Sequence, residues 1–293
     1  MFSPPTLQTW NDPAFEKLQL KVEILRLDLL HPTISGNKWL KLRGYIQQAK
    51  KAKMAGILTK GGPWSNHAHA VAYACHTMNL TCELWIKGHQ KQVTATLQDC
   101  LAWQANITFI NRTLFYDEAA ATTLARENNL LYVPLGGADE TGITSVAAYL
   151  NELELLPYSH VCCSVGTATT FAGLAFSQQA FAHIIGIESG TKDPALPEKI
   201  KLWQQQLPKQ KLSLVHDYAF GGYSKYNNEL LTFMNQLYEQ QKIPTDIVYT
   251  GKLFYALKDL ATKGLFAPAD RILVIHSGGL QGNRSLPVSI LQF

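Results

Sequence analysis

The stretch Val161-Cys162-Cys163-Ser164-Val165-Gly166-Thr167-Ala168-Thr169-Thr170-Phe171-Ala172-Gly173 reads as a short strand, a corner of small and hydroxyl residues, and the start of a helix. The apolar run at 161–165 reads as the strand. Successive strand side chains face opposite ways, so Cys162 and Cys163 are expected on opposite sides of one sheet. The same rhythm runs outward in both directions. Apolar runs occur at Leu20–Leu27, Gly56–Leu58, Cys82–Ile86, Ile107–Ile110, Leu130–Leu135, His183–Ile187, Leu212–Val215 and Arg271–Ile275. Helical stretches are expected at Asn66–Met78, Val93–Gln104, Asp117–Asn128, Phe171–Phe181, Asn227–Gln241 and Leu253–Lys263, and a surface loop at Gly190–Lys199. Short strands alternating with helices specify a parallel α/β architecture. In such sheets ligands bind at the corners outside the strand C-termini.

Composition removes several classes. The chain has 293 residues, 46% hydrophobic and 16% charged, enough apolar content for a substantial core and too much for disorder. Its net charge of +4 carries no basic block beyond Lys50-Lys51 with Lys53, which argues against a dedicated nucleic-acid binder. No run reaches the roughly 18 apolar residues of a spanning helix, and Met1-Phe2-Ser3-Pro4-Pro5 has no signal-peptide pattern. Five cysteines without paired metal-site spacing read as buried thiols in a reducing cytoplasm.

Four corners carry chemistry. In Ser35-Gly36-Asn37-Lys38-Trp39-Leu40-Lys41, two lysines three apart share a helix face. Shielded, such a lysine loses its proton and attacks carbonyls; exposed, it belongs to a solvated stripe with Arg43, Lys50, Lys51 and Lys53. In Lys60-Gly61-Gly62-Pro63-Trp64-Ser65-Asn66-His67-Ala68-His69, Ser65 or Asn66 stands at a helix start, as a simple N-cap or as part of an anion site. His67 and His69, two apart, diverge on a helix and make no zinc pair. The corner Gly166-Thr167-Ala168-Thr169-Thr170 lets backbone amides approach a phosphate, unless it is an ordinary tight turn. It matches neither the P-loop nor the dinucleotide fingerprint. The fourth set is Gly221-Gly222-Tyr223, Tyr249-Thr250-Gly251-Lys252 and His276-Ser277-Gly278-Gly279-Leu280-Gln281-Gly282. A tyrosine alone proves little, since many fill cores.

In order, from about Leu25 to Gly282, these segments resemble the 1-aminocyclopropane-1-carboxylate (ACC) deaminase/D-cysteine desulfhydrase family of pyridoxal-5′-phosphate (PLP) enzymes, related to tryptophan synthase β (fold type II). The resemblance implies an α/β fold of two open-twisted three-layer domains with PLP in the cleft, residues 51–145 forming the small one and 1–50 with 146–293 the large one. It implies that Lys38 holds PLP, Lys41 reaches its phosphate, and Gly166, Thr167, Ala168, Thr169 and Thr170 form the phosphate loop. Asn66 bonds the ring oxygen, and Ser65 sits by the substrate carboxylate with Asn66, His67, Trp64 and Ser277 around it. Tyr223 and Tyr249 are the active-site tyrosines, Tyr249 against the ring, and Thr250 meets the ring nitrogen. Arg26-Leu27-Asp28 is similar to the family's Arg-Asp-Asp, broken by Leu27; Trp64 stands where Gln is usual, and Ser35 where Gly is. ACC deaminases carry Glu after the tyrosine and an apolar residue before the last Gly-Gly. Here Thr250 and Ser277 stand there, on the desulfhydrase side, so β-elimination from D-cysteine is the expected reaction and ACC ring opening the alternative. A non-catalytic PLP-binding protein is the rival of another class. The family's habit implies a homodimer, with a small amino acid as substrate.

Overall fold

A computed structural model describes residues 2–34, 36–89, 93–190 and 193–293; Ser35 and part of the loop expected at 190–199 lie outside them. Its strands are β1 (Thr6–Thr9), β2 (Lys21–Arg26), β3 (Gly56–Gly61), β4 (Thr81–Lys87), β5 (Asn106–Ile110), β6 (Leu130–Val133), β7 (Tyr158–Val165), β8 (Phe181–Glu188), β9 (Lys211–Val215) and β10 (Arg271–His276). The helices are α1 (Pro13–Lys17), α2 (Gly36–Lys51), α3 (Asn66–Thr77), α4 (Ala95–Ala102), α5 (Arg112–Tyr116), α6 (Glu118–Glu127), α7 (Glu140–Asn151), α8 (Thr169–Ala175), α9 (Leu196–Gln206), α10 (Asn228–Gln241) and α11 (Thr250–Thr262). Each of the nine apolar runs lies on or overlaps a strand. The fold is α/β, with two separate sheets.

The larger sheet has the order β1-β2-β10-β7-β8-β9, parallel except for β1, which pairs antiparallel with β2. The smaller, β5-β4-β3-β6, is wholly parallel. β7 shows why its run does not alternate. Val161, Cys163 and Val165 pack with Phe171, Leu174 and Ile184 on one face, and Cys162 packs with Ile185, Ile272 and Leu253 on the other. Both faces are core, and the one polar residue of the run, Ser164, stands near the C-terminal end of the strand, against Ser277. The smaller sheet is covered by Val71, Ala74 and Leu97 from α3 and α4 on one side and by Phe115 and Ala121 from α5 and α6 on the other.

α2 joins the two halves, burying Leu40 in the large-sheet core and Leu42, Tyr45 and Ile46 in the small-sheet core. A division expected at 145/146 falls within α7, whose residues run unbroken from Glu140 to Asn151.

Two local expectations are corrected. The helix expected at Phe171–Phe181 ends at Ala175, because Phe181 opens β8 and pairs with Tyr158. Of the expected loop Gly190–Lys199, Leu196 onward is helical, with Pro197 in the first turn of α9, where a missing N–H costs nothing.

In the larger sheet the chain order turns back at β10, which lies between β2 and β7. The C-terminal ends of these strands form the crevice that such a reversal creates.

Candidate active site

Gly36 opens α2 in the left-handed region, φ +65°, and a Cβ there would lie 2.0 Å from the Ser277 carbonyl oxygen. Only glycine fits so close to the end of β10. The Asn37 amide donates to that same carbonyl at 3.2 Å, and its Nδ2 donates to Thr170 Oγ1 at 2.9 Å. The first turn of α2 is thereby fastened to two other corners before Lys38 is reached. Lys38 Nζ donates to Asn37 Oδ1 at 2.7 Å and lies 5.6 Å from the centre of the Tyr249 ring. Burial lowers its pKa to about 8, with the Asp246 carboxylate pulling the other way. Its amine thus has an appreciable unprotonated fraction near neutrality. One turn on, Lys41 is buried and donates to the Gly136 carbonyl at 3.0 Å. Burial first, and then the Lys38 charge, hold its pKa well below the usual lysine range. Lys50, Lys51 and Lys53 stay exposed, so the basic stripe splits after Lys41.

The corner after β7 faces this turn. A Cβ on Gly166 would sit 3.0 Å from the Tyr249 ring. Ala168 takes a left-handed φ of 58° and caps α8 with no side-chain hydrogen bond, leaving the first-turn amides without a side-chain acceptor. Thr167 and Thr169 hydroxyls meet at 3.0 Å, and Thr170 is held by Asn37. Open amides, hydroxyls and the nearby Lys41 compose an anion cradle. A cleft of about 1020 Å³ reaches this loop, its walls including Leu135, Asp139, Gly166, Thr167 and Trp203.

From the smaller sheet, β3 ends in Gly61 and the chain turns through Trp64 into α3. Ser65 is the N-cap, its Oγ accepting from the Ala68 amide at 3.1 Å, which leaves its hydroxyl proton to give. Asn66 Oδ1 accepts from Gln281 Nε2. His67 is buried, with Nε2 3.0 Å from Thr59 Oγ1. Thr59 spends its proton on the Val133 carbonyl at 2.8 Å, so His67 must donate from Nε2, and Nδ1 keeps a bare lone pair. Burial, with Lys41 and Lys38 adding to it, lowers the His67 pKa to about 3. It is neutral. His69 turns away to Asp99 at 3.0 Å, and Trp64 is part-exposed.

The last wall comes from the C-terminal third. The buried Asp246 carboxylate accepts from the amides of Val248, Tyr249 and Thr250 at 3.0, 3.0 and 2.8 Å, and from Thr250 Oγ1 at 2.6 Å. This cap starts α11 and places Tyr249 and Thr250. Thr250 also accepts from the Asp246 amide at 2.7 Å. Its only proton is thus committed, and any ring nitrogen beside it meets an acceptor, not a donor. Tyr249 OH donates to Tyr223 OH at 3.3 Å, and burial raises both phenol pKa values, Tyr249's strongly. Ser277 Oγ lies 3.3 Å from Ser164 Oγ, inside the crevice between β10 and β7.

Sequence reasoning passed over Asp246 and gave no role to Lys252, Arg26 or Asp28. Asp246 carries the cap; its signal was the Asp at i with Thr at i+4 ahead of an apolar helix. Lys252 is fully buried, donating to the carbonyls of Ser189, Ala219 and Gly222 at 3.0, 2.8 and 2.8 Å. It therefore shapes the turn that delivers Tyr223. A lysine followed by Leu253-Phe254 inside an apolar helix was the visible hint. Arg26 and Asp28 form a buried ion pair at 2.7 Å despite Leu27 between them, and His276 braces the end of β10 by donating from Nε2 to the Pro244 carbonyl at 2.6 Å.

A near-neutral amine, an aromatic ring beside it and an anion cradle suit an aldehyde cofactor bearing a phosphate. A family model described as pyridoxal-phosphate dependent enzyme matches residues 9–278. The chain belongs to that family. Among its relatives, a putative 1-aminocyclopropane-1-carboxylate deaminase of Pyrococcus horikoshii is 29% identical over 282 residues, covering 89% of this chain and 85% of its own. A D-cysteine desulfhydrase of Klebsiella pneumoniae is 26% identical, covering 95% and 93%. The crystal structure of an ACC deaminase homologue superposes with a TM-score of 0.80 over 95% of this chain and 90% of its own, at 24% identity, and so shares the fold. The cofactor of this pyridoxal-phosphate dependent enzyme is PLP, and the residues present fit it. Lys38 would offer it an amine, the Gly166–Thr170 corner with Lys41 a phosphate cradle, Tyr249 a ring contact and Asn66 a side-chain amide.

Proposed function

We propose that this enzyme is a lyase acting on a small amino acid, eliminating the β-thiol of D-cysteine to give pyruvate, ammonia and sulfide. Bound PLP supplies an electron sink for the substrate's Cα. Lys38 would hold the cofactor, and its freed amine would take the proton from Cα. The C–S bond then breaks with its electron pair on sulfur, which leaves as thiolate. Water hydrolyses the released 2-aminoacrylate to pyruvate and ammonia. Ser65, with a hydroxyl proton to give, and the open amides of the first turn of α3 hold the substrate carboxylate. Tyr249 and Tyr223, kept as neutral phenols, serve proton transfer at the leaving group. Trp64 and Ser277 border the substrate, and neutral His67 supports the site from beneath.

The observation that carries the choice of reaction is Thr250. It offers the cofactor ring a hydroxyl oxygen already bound to Asp246, where ACC deaminases carry glutamate. A neutral hydroxyl oxygen holds a ring N–H less strongly than a carboxylate does, so the sink is weaker than in ACC deaminases, adequate for a substrate with an acidic Cα–H and a good leaving group. ACC has neither. Sulfide release from D-cysteine by the purified holoenzyme tests the proposal; 2-oxobutyrate from ACC with no sulfide from D-cysteine overturns it. A bound cofactor whose spectrum responds to no amino acid favours the non-catalytic rival.

The expected division, 51–145 closing on 1–50 and 146–293, belongs to this proposal, as do the homodimer and the reducing cytoplasm. All five cysteines are free and buried, which supports that compartment. No described helix is long and apolar enough to cross a membrane.

A further inference from the structure

Gln281 lies on the 3-10 segment Leu280–Ser285 that follows β10, yet its side chain is bonded entirely to the other lobe. Its Nε2 faces the Trp64 carbonyl at 3.4 Å and donates to Asn66 Oδ1, while its Oε1 accepts from Thr96 Oγ1 at 2.7 Å. The chemistry of the partners fixes these orientations. A backbone carbonyl only accepts, so the end of Gln281 beside Trp64 is its nitrogen. That nitrogen needs an acceptor from Asn66, which must present Oδ1. The Thr96 hydroxyl, buried on α4, supplies the proton that the Gln281 oxygen requires. Asn66 Nδ2 is therefore turned the other way, toward Gly279, where a Cβ would lie only 3.0 Å from it. It makes no hydrogen bond to any described residue. A second contact ties the same segments together: Arg284 is paired with Asp99, which also holds His69.

We propose that Gln281 is a positioning residue that fixes the Asn66 amide with its N–H groups toward the anionic ring oxygen of bound PLP, so that closing the lobes and aiming this donor are one event. The proposal rests on the reading of the site as a PLP site. Thr96 orients Gln281, Gln281 orients Asn66, and Asn66 donates to the ring oxygen. With the lobes apart, neither amide of the chain has a fixed direction, and Asn66 presents oxygen as readily as nitrogen. An oxygen turned toward an anionic ring oxygen repels it. The lobe contact thus sets the protonation of the cofactor as well as its grip.

The test uses the holoenzyme and PLP as the probe, reading cofactor affinity and the pH midpoint at which the long-wavelength absorbance band of the bound cofactor gives way to the short-wavelength one. A lost donor leaves more charge on the ring oxygen, which then holds the proton of the adjacent lysine-linked nitrogen more tightly, so the midpoint moves to higher pH. Gln281→Leu is expected to move it by most of the shift that Asn66→Ala causes and to weaken PLP binding about tenfold, the worth of one charge-assisted hydrogen bond. Gln281→Glu, of the same shape but with no nitrogen to donate, moves it at least as far, and Thr96→Val moves it less in the same direction. In the Asn66→Ala background, Gln281→Leu adds nothing. An unmoved midpoint in both Gln281 variants, or a full additional shift in the Asn66→Ala background, overturns the proposal. Failure of the unaltered protein to take up PLP refutes instead the reading of the site on which it rests.

Discussion

Replacing Gly36 with alanine adds one methyl group at the point where α2 meets β10. Two costs follow from the structure. A residue with a Cβ held at φ +65° loses roughly 1–2 kcal/mol relative to glycine. The methyl would also lie 2.0 Å from the Ser277 carbonyl oxygen, against the 3.0 Å below which real Cβ atoms essentially never come. Something must therefore shift by about 1 Å. The shift stretches the Asn37 amide bond to Ser277, already 3.2 Å long and worth about 1 kcal/mol. We expect Gly36→Ala to fold with its urea unfolding free energy lowered by about 3 kcal/mol. The larger effect falls on function, because Lys38 is two residues away on the displaced turn. A 1 Å misplacement of a reacting group costs about a hundredfold in rate, so PLP attachment, followed by absorbance after mixing, should slow by about that factor. Unfolding within about 0.5 kcal/mol of the unaltered protein, together with an unchanged attachment rate, would refute the reasoning.

Other outcomes follow from the same geometry. Only the neutral amine attacks an aldehyde and burial holds the Lys38 pKa near 8, so PLP attachment to the apo-protein should rise about tenfold per pH unit below 8 and level off above it, read by rapid mixing. Lys252→Met strands three carbonyls that one buried ammonium now holds. It should lose about 2–4 kcal/mol in urea unfolding, and its kcat deficit should shrink in a Tyr223→Phe background, since the turn it shapes delivers Tyr223. Thr250→Glu should lower the unfolding free energy by about 3 kcal/mol or more and give no ACC ring opening, because the new carboxylate is pressed against Asp246 in a buried cap.

Much of this was legible in the chain. The apolar runs became strands because a strand covered on both faces is apolar over most of its length, as β7 shows with Cys163 in one core and Cys162 in the other. β1 escaped notice because an edge strand of four largely exposed residues, Thr6–Thr9, needs no apolar run. The helix after the Gly166 corner was overextended because Phe181 is as apolar as a helix face, and only its pairing with Tyr158 assigns it to a strand. The corners around Lys38, Ser65, Gly166 and Tyr249 were visible as local patterns of glycine and hydroxyl residues. What ties them together was not. Gln281 bonds residues 185 and 215 positions away, and Lys252 gathers carbonyls from 30 to 63 positions away. Partners of that kind exist only once the strands are ordered, and they leave no local signal. Thr250 is a further case. Its place beside Tyr249 was readable, but the commitment of its proton to Asp246 was not, and that commitment decides what it can offer a ring nitrogen.

The central claim is that Lys38 carries the cofactor. Borohydride reduction of the PLP-loaded protein, followed by proteolysis and mass mapping of the phosphopyridoxyl label, tests it directly. The account predicts the label on Lys38 and none in a Lys38→Ala variant; a label on Lys41 or Lys252, or an unlabelled protein after full loading, would contradict it.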